Sequence, residues 1–153
     1  MRTYLSALAL AAAIIAILAG CSPGPKGDAD PRKAVLSMFR AIENEDRAQL
    51  AHCLDFESLL KSTGVDYALK TDSPRVFGNP EEILNDLLKG GLTNQRWLAM
   101  QRIVDKSNQS GDSALVDVSF VDKKNSIQYL NKFGLRKVNG VWKIYSFSVK
   151  DKT

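Results

Sequence analysis

The sequence predicts an α+β domain in which N-terminal helices pack on a curved antiparallel sheet of four strands. Apolar residues follow helical spacing in the first part of the chain, and the pattern changes to alternation from residue 96 onward. Turn-forming groups then recur at regular intervals, which is typical of strands that follow one another in the chain. A length of 153 residues suits a single soluble domain preceded by a targeting segment.

The first 20 residues have the composition of an export signal. Sixteen of them are hydrophobic, and Arg2 carries their one charge. The uncharged stretch 4–19 is shorter than the roughly 20 residues that a membrane-spanning helix needs. We therefore expect residues 1–20 to be a signal peptide. Residues 21–30 are rich in Pro and Gly and predict a flexible tether, so residues 31–150 form the predicted domain.

Helix boundaries follow from capping residues. Asp30 followed by Pro31 predicts the start of a first helix, and Asp46 predicts the cap of a second helical piece. A further turn from Asp55 is expected to end near Gly64. Asn79 followed by proline predicts a third helix, which should stop at a glycine, residue 90. Cys53 lies among apolar neighbours, which favours a buried small side chain over a reactive thiol.

Four strands follow, over residues 96–106, 114–120, 127–138 and 141–149. The Asn139–Gly140 pair predicts a type I′ hairpin turn, because both central residues of that turn need positive φ. In the last strand, alternation places Trp142 and Ile144 on one face and Tyr145 and Phe147 on the other. Residues 65–78 show no clear periodicity and are interpreted as a short hairpin or a lid.

The residues Leu18, Ala19, Gly20 and Cys21 resemble the lipobox of bacterial lipoproteins. The resemblance implies cleavage between Gly20 and Cys21, a thioether lipid on the Cys21 sulfur and an acyl chain, typically palmitate, on the new amine. Ser22 in place of an aspartate implies sorting to the outer membrane of a Gram-negative cell, with the domain facing the periplasm. The alternatives are an uncleaved anchor helix and a conventional signal peptide.

The order of elements resembles the cone-shaped superfamily of nuclear transport factor, ketosteroid isomerase and SnoaL-like proteins, also described as cystatin-like. Residues 41–50 resemble its acidic break between two helices, residues 78–83 the entry to its third helix, and residues 138–144 the closing hairpin of lipoprotein members without assigned function. The resemblance implies a cavity between helices and sheet. It also implies two more strands within residues 65–78, which would make the sheet six-stranded.

Candidate catalytic groups are few. His52 is the single imidazole, and Asp55 lies three residues later, so the two share a face if the helix is continuous. Asp117 is the nearest candidate for an acid on an inner strand, although its alternation with Val116 and Val118 favours a solvent-facing position. One His and no Cys cluster predict no metal site, and no motif predicts a cofactor. No catalytic residue is therefore assigned.

Binding is the more favoured role. Among the aromatic residues, Trp97, Tyr129 and Trp142 are the best pocket candidates, because their polar atoms need partners. Residues 22–95 carry a net charge of −3 and residues 96–153 one of +6. An anionic envelope surface is therefore a candidate partner for six basic residues: Arg96, Arg102, Lys132, Arg136, Lys137 and Lys143. The alternative is ordinary solvated strand faces.

The sequence therefore predicts a lipid-anchored envelope protein with a non-catalytic domain that binds a small ligand or a protein partner. Nucleic acid is excluded as a partner by the predicted compartment. The alternative function is a cavity enzyme, a hydrolase or an isomerase, that uses His52 with Asp55 or Asp117.

Overall fold

The computed structural model describes residues 30–61 and 76–150, in which five helices precede four strands. The helices are α1 (Pro31–Glu43), α2 (Arg47–Cys53), α3 (Phe56–Lys61), α4 (Pro80–Leu87) and α5 (Leu92–Leu98). The strands are β1 (Gln101–Ser110), β2 (Ser113–Asp122), β3 (Ile127–Val138) and β4 (Val141–Lys150). The predicted signal peptide, Cys21, the tether and most of the ambiguous stretch 65–78 lie outside the described residues.

Three helix starts confirm the capping predictions. The Asp30 carboxylate accepts a hydrogen bond from the Arg32 amide at 2.9 Å, and proline takes the first position of α1. Asp46 caps α2 in the same way, at 2.9 Å from the Gln49 amide. At α4, Asn79 Oδ1 accepts from the amide of Glu82 at 3.1 Å. Each cap satisfies an amide that has no partner within its own helix.

The predicted first strand over residues 96–106 is wrong at its start, because residues 92–98 form α5 and β1 begins at Gln101. The buried face of α5 combines Thr93, Asn94 and Trp97, two of which are polar. Polar residues on a buried face hide the helical period in the sequence. They are tolerated because Asp86 and the Leu87 carbonyl, both in α4, supply their hydrogen-bond partners.

The strands form one antiparallel sheet in the order β1-β2-β3-β4. Asn139 and Gly140 have φ values of 52° and 78°, which confirms the predicted tight hairpin between β3 and β4. We call the face of the sheet that the helices cover the inner face. Its side chains build the core together with those of α1, as the burial of Met38, Val116 and Phe133 shows. The α+β class is thereby confirmed.

A bulge in β4 corrects the predicted faces of the last strand. Gly134 pairs with Ser146 and Leu135 pairs with Ile144, so Tyr145 is an extra residue. Beyond the bulge the alternation is shifted by one, and Phe147 joins Ile144 and Trp142 in the core. Tyr145 lies over Gly134, where a Cβ atom would come within 2.6 Å of the Tyr145 ring.

The two outer strands of the described sheet have different surroundings. At β4, Leu54 forms a parallel bridge with Ile144, and the amide of Asp55 donates to the Ile144 carbonyl at 2.9 Å. At β1, the pairing with β2 is interrupted by an irregularity between Val104 and Ser107.

No helix within residues 30–61 and 76–150 is long and apolar enough to cross a membrane.

Candidate functional site

The centre of the inner face is a layer of three cross-strand pairs between β2 and β3. Val116 pairs with Phe133, Val118 with Asn131 and Phe120 with Tyr129. Directly opposed residues of antiparallel strands point to the same face. Asn131 is therefore an amide side chain in the middle of an apolar layer.

Asn131 is 1% exposed, and among the described residues neither its Nδ2 nor its Oδ1 has a hydrogen-bond partner. Its neighbour across the strands, Val118, is fully buried and offers no polar side-chain atom. An unsatisfied buried polar atom costs about 1 to 3 kcal/mol. Native structures contain few such atoms, and each calls for a physical explanation.

Trp97 of α5 covers this layer. Its ring centroid lies 5.3 Å from that of Phe120 and 5.8 Å from that of Phe133, the two rings placed diagonally about the Val118–Asn131 pair. The indole Nε1 is buried and has no hydrogen-bond partner within the described part of the chain. The helix and the sheet thus bring unpartnered polar groups of Trp97 and Asn131 to one layer of the core.

An ion pair holds Trp97 in place and leaves little net charge beside it. Arg102 of β1 donates to the Trp97 carbonyl at 3.4 Å and to Glu43 Oε1 at 2.5 Å. Its guanidinium also lies 5.5 Å from the centroid of the Phe39 ring. The positive charge of Arg102 is therefore already neutralised by the Glu43 carboxylate.

Tyr129 marks the more accessible end of the layer. It precedes Asn131 by two residues on the same face of β3, and it is half-buried where Asn131 and Phe133 are buried. Asn131, Trp97 and Tyr129 together define what we call the inner-face site.

Trp142, the third predicted pocket residue, lies at the other end of the sheet. It pairs with Lys137, eight residues beyond Tyr129 along β3. At about 3.3 Å per residue this is a separation of roughly 25 Å. The Lys137 ammonium lies 5.0 Å from the centroid of the Trp142 ring, a cation–π contact. The structure therefore places Trp97 and Tyr129 in one layer, on either side of Phe120, and leaves Trp142 apart.

His52 and Asp55 do not form a catalytic pair in this structure. Asp55 is buried, and its Oδ2 lies 2.5 Å from Arg136 Nη2 while its Oδ1 accepts from the Ser58 amide at 3.4 Å. His52 Nε2 is buried and has no hydrogen-bond partner. The two residues lie at the end of α2 and beyond it, so the helical register that would align them is broken.

Asp117 lies on the opposite face of the sheet from the inner-face site. Its carboxylate is 3.5 Å from Lys132 Nζ. The exposed fraction of the side chain is 40% for Asp117 and 35% for Lys132. It alternates with the buried Val116 and Val118, as the sequence predicted. The sheet therefore separates Asp117 from the side on which the helices, including that of His52, are packed.

Six basic residues were candidates for binding an anionic surface. Most of them are in contact with other groups of the protein. Arg102, Lys132 and Arg136 face the acids described above, Lys137 Nζ is 3.9 Å from Asp112 Oδ1, and Lys143 donates to the His52 carbonyl at 3.0 Å. Arg96 is half-buried on α5. Binding to an anionic surface stays a prediction, and these contacts favour structural roles for the five residues.

Two clefts open on the surface away from the inner-face site. One, of about 610 Å³, lies between α4 and α5 beside Phe77, Glu82, Asp86 and Gly91. The other, of about 340 Å³, lies at the β1–β2 end beside Asn108, Leu115 and Tyr145. None of Trp97, Tyr129 and Trp142 lines either cleft.

Within the described ranges, no three His, Cys, Asp or Glu side chains gather as they would around a metal ion.

Two solved structures resemble the fold. An NTF2-like protein of unknown function from Methylobacillus flagellatus KT has 14% identity and a TM-score of 0.51, over 79% of this chain and 90% of that one. A substituted variant named Rd1NTF2_05 has 16% identity and a TM-score of 0.52, over 78% of this chain and 95% of that one. No family model and no curated protein matches the sequence. The chain thus has the NTF2-like α+β fold, as the resemblance in sequence implied.

Sequence reasoning missed Asn131. An asparagine between Leu130 and Lys132 has the appearance of a solvent-facing residue, because polar strand residues usually alternate toward water. The signal that the sequence offers is the position of Asn131 in the strand alternation. Tyr129, Asn131 and Phe133 fall on one face of β3, so the asparagine lies between two aromatic residues. A polar residue in phase with an apolar face is the pattern that would have identified the site.

Proposed function

We propose that this chain is a lipid-anchored protein of the bacterial envelope whose NTF2-like domain binds a small ligand without catalysing a reaction. The inner-face layer is closed in this structure, with Asn131 1% and Trp97 0% exposed, so the proposed ligand enters beside the half-buried Tyr129 and displaces the side chains that cover Asn131 and Trp97. The unpartnered amide of Asn131 carries the proposal. Because an unsatisfied buried polar atom costs about 1 to 3 kcal/mol, a molecule that supplies its partner recovers free energy on binding.

Binding is favoured over catalysis by what surrounds the site. General acid–base chemistry needs a titratable group within hydrogen-bond reach of the reacting atoms. Asp55 and Asp117 each face a basic residue, and neither belongs to the inner-face layer. The inner-face site offers an amide, an indole N–H and a phenol among aromatic rings, which suits recognition of an apolar molecule with a few polar groups.

The anchoring part of the proposal rests on the lipobox-like residues. Cleavage after Gly20 would leave Cys21 at the N-terminus of the mature chain, with lipid on its sulfur and its amine. At about 0.8 kcal/mol per buried methylene, several acyl chains hold a protein at a bilayer durably. Residues 21–30 then tether the domain to the periplasmic surface of the outer membrane.

Native mass spectrometry of detergent-solubilised full-length protein tests the ligand proposal. We expect a bound small molecule on the wild-type chain and its loss in Asn131→Leu. Lys132→Leu is the matched control, because it places the same side chain on the opposite face of the same strand. Equal retention of a bound molecule by Asn131→Leu, or a bare wild-type protein, would overturn the proposal.

Mass spectrometry of the N-terminal peptide tests the anchor. Expressed in a Gram-negative host, the membrane fraction should yield a chain that begins at lipidated Cys21. Cys21→Ser should accumulate as an unprocessed chain that retains Met1, because the lipidation sulfur is lost. A wild-type chain that keeps Met1, or one cleaved at a different residue without lipid, would contradict the anchor.

A further inference from the structure

The inner-face site also indicates what kind of molecule it takes. The planar side-chain amide of Asn131 carries two different hydrogen-bonding groups without partners, the Nδ2 donor and the Oδ1 acceptor. Trp97 Nε1 adds a donor that has no acceptor of its own. A ligand could therefore supply an acceptor for Asn131 Nδ2, a donor for Asn131 Oδ1 and an acceptor for Trp97 Nε1.

A single chemical group meets these needs. In an amide or lactam, a carbonyl lies next to an N–H, so that two amides can face each other through a pair of N–H···O=C hydrogen bonds. A carbonyl oxygen has two lone pairs and can accept from a second donor as well. A carboxylate only accepts, and would leave Asn131 Oδ1 unpartnered and opposed by negative charge.

The surroundings argue against a charged ligand. Arg102, which contacts the Trp97 carbonyl, is bound to Glu43. The other groups of the layer are the rings of Phe120 and Phe133 and the aliphatic side chain of Val118. Transfer of an unpaired charge to such an environment is strongly unfavourable. The rings of Trp97, Phe120 and Phe133 pack against one another in this layer, so a molecule that replaces part of this packing has to be flat and largely apolar.

From these contacts we infer that the inner-face site recognises an uncharged, planar amide or lactam on an apolar body, paired with the Asn131 amide and with its carbonyl toward Trp97 Nε1. This inference rests on the proposed ligand-binding function and specifies its ligand class. Tyr129, at the accessible end of the layer, would contact the apolar body of the molecule.

Nitrogen-15 NMR of the full-length protein in detergent micelles, titrated with three small probes, tests the inference. Benzamide carries the adjacent donor and acceptor, benzoate is its anionic counterpart, and acetophenone keeps the carbonyl without the N–H. The readouts are the side-chain NH₂ pair of Asn131 and the indole N–H of Trp97. The chain has two tryptophans, so Trp142→Phe assigns the indole signals.

We expect benzamide to shift both signals saturably, and to bind at least about ten-fold more tightly than benzoate or acetophenone, the gain expected for one additional well-made hydrogen bond. Shifts by benzoate in preference to benzamide, equal shifts by acetophenone, or no shift by benzamide would each overturn the amide assignment. Because the probes are tested on the wild-type chain, the result does not depend on how a variant folds.

The outcome is distinguishable from failure of the proposed function itself. If the co-purified molecule is lost in Asn131→Leu but lacks an N–H beside a carbonyl, ligand binding stands and the amide class is overturned. If no molecule co-purifies and none of the probes moves the Asn131 signals, both the ligand site and its class are rejected.

Discussion

Two buried asparagines of this chain have opposite surroundings. Asn94 of α5 donates from Nδ2 to the Leu87 carbonyl at 3.0 Å, near the C-terminal end of α4, where helix carbonyls lack partners of their own. Asn131 of β3 has no partner for either side-chain polar atom. The same residue type therefore stabilises the fold at position 94 and contributes unfavourably to the free energy of folding at position 131.

Replacing each asparagine by leucine, whose side chain has the same branched arrangement of four heavy atoms, should separate the two roles. In ligand-free protein we expect Asn131→Leu to leave the free energy of unfolding unchanged or raise it by about 1 kcal/mol, since two unpartnered atoms are removed. Asn94→Leu should lower it by about 1 to 2 kcal/mol, because the Leu87 carbonyl loses its donor. Urea unfolding measures both. Destabilisation by Asn131→Leu as large as that by Asn94→Leu would mean that the Asn131 amide has a structural partner.

A gain in stability at Asn131 together with a loss of ligand would have a clear meaning. Residues that bind ligands are frequently unfavourable for the folded state, and their replacement by apolar residues trades binding for stability. Asn131 would then be retained by the chain for what it contacts in the bound state. The combination of both measurements distinguishes this from a simple packing effect.

At the level of elements, a buried contact between Thr93 and Asp86 connects α5 to α4. Thr93 Oγ1 donates to Asp86 Oδ2 at 2.5 Å, and both residues are almost fully buried. The backbone amide of Thr93 also points to Asp86 Oδ1, at 3.4 Å. Gly91, which precedes α5, has no room for a side chain, because a Cβ there would lie 2.0 Å from the Asp86 carbonyl oxygen. The close approach of the two helices fixes where Trp97 enters the core.

Thr93→Val keeps the shape of the side chain and removes its hydroxyl donor. We expect the free energy of unfolding to fall by about 2 kcal/mol, since hydrogen bonds to charged groups contribute about 1.5 to 3 kcal/mol. Thr93→Ser retains the hydroxyl and should lose less. Tryptophan fluorescence during urea unfolding, from Trp97 and Trp142 together, reports on both variants. If valine is as stable as the wild type, the Asp86 contact does not hold α5.

The sequence was informative wherever structure is decided locally. The Asp30 cap and the Asn139–Gly140 turn depend on neighbouring residues, and both were predicted correctly. Helix α5 was missed because its buried face is polar and is satisfied by α4. The face of Phe147 was wrong because the Tyr145 bulge is created by pairing with β3. Asn131 was missed because its burial depends on Trp97, which arrives from a different element.

Across the whole molecule, the helices cover one face of the sheet and the most protected layer lies between β2 and β3. Val116, Val118 and Phe133 are fully buried, whereas β1 is exposed over most of its length. Two ion pairs connect the helical part to the sheet, Arg102 with Glu43 and Arg136 with Asp55. Stability should therefore decrease from the middle of the sheet toward β1.

Hydrogen–deuterium exchange measures this gradient directly. We expect the amides of β2 and β3 that pair with each other to exchange slowest, at rates set by global unfolding. Amides in the second half of β1, beyond the irregularity at Ser107, should exchange at least about ten-fold faster, because local opening there disrupts few buried contacts. Equal protection of β1 and β3 would contradict this picture of the sheet.

The irregularity in β1 also bears on how neighbouring molecules behave at a crowded surface. Lipid-tethered proteins share a two-dimensional layer, in which an outer strand of one copy meets that of another often. A long regular outer strand would template the addition of further copies, edge to edge. In β1 the interruption includes Asp105 and Lys106, so the strand is bent and carries charge where a second strand would need to align. In the proposed lipid-anchored state, these features of β1, an outer strand of the described sheet, would oppose polymerisation of neighbouring domains edge to edge.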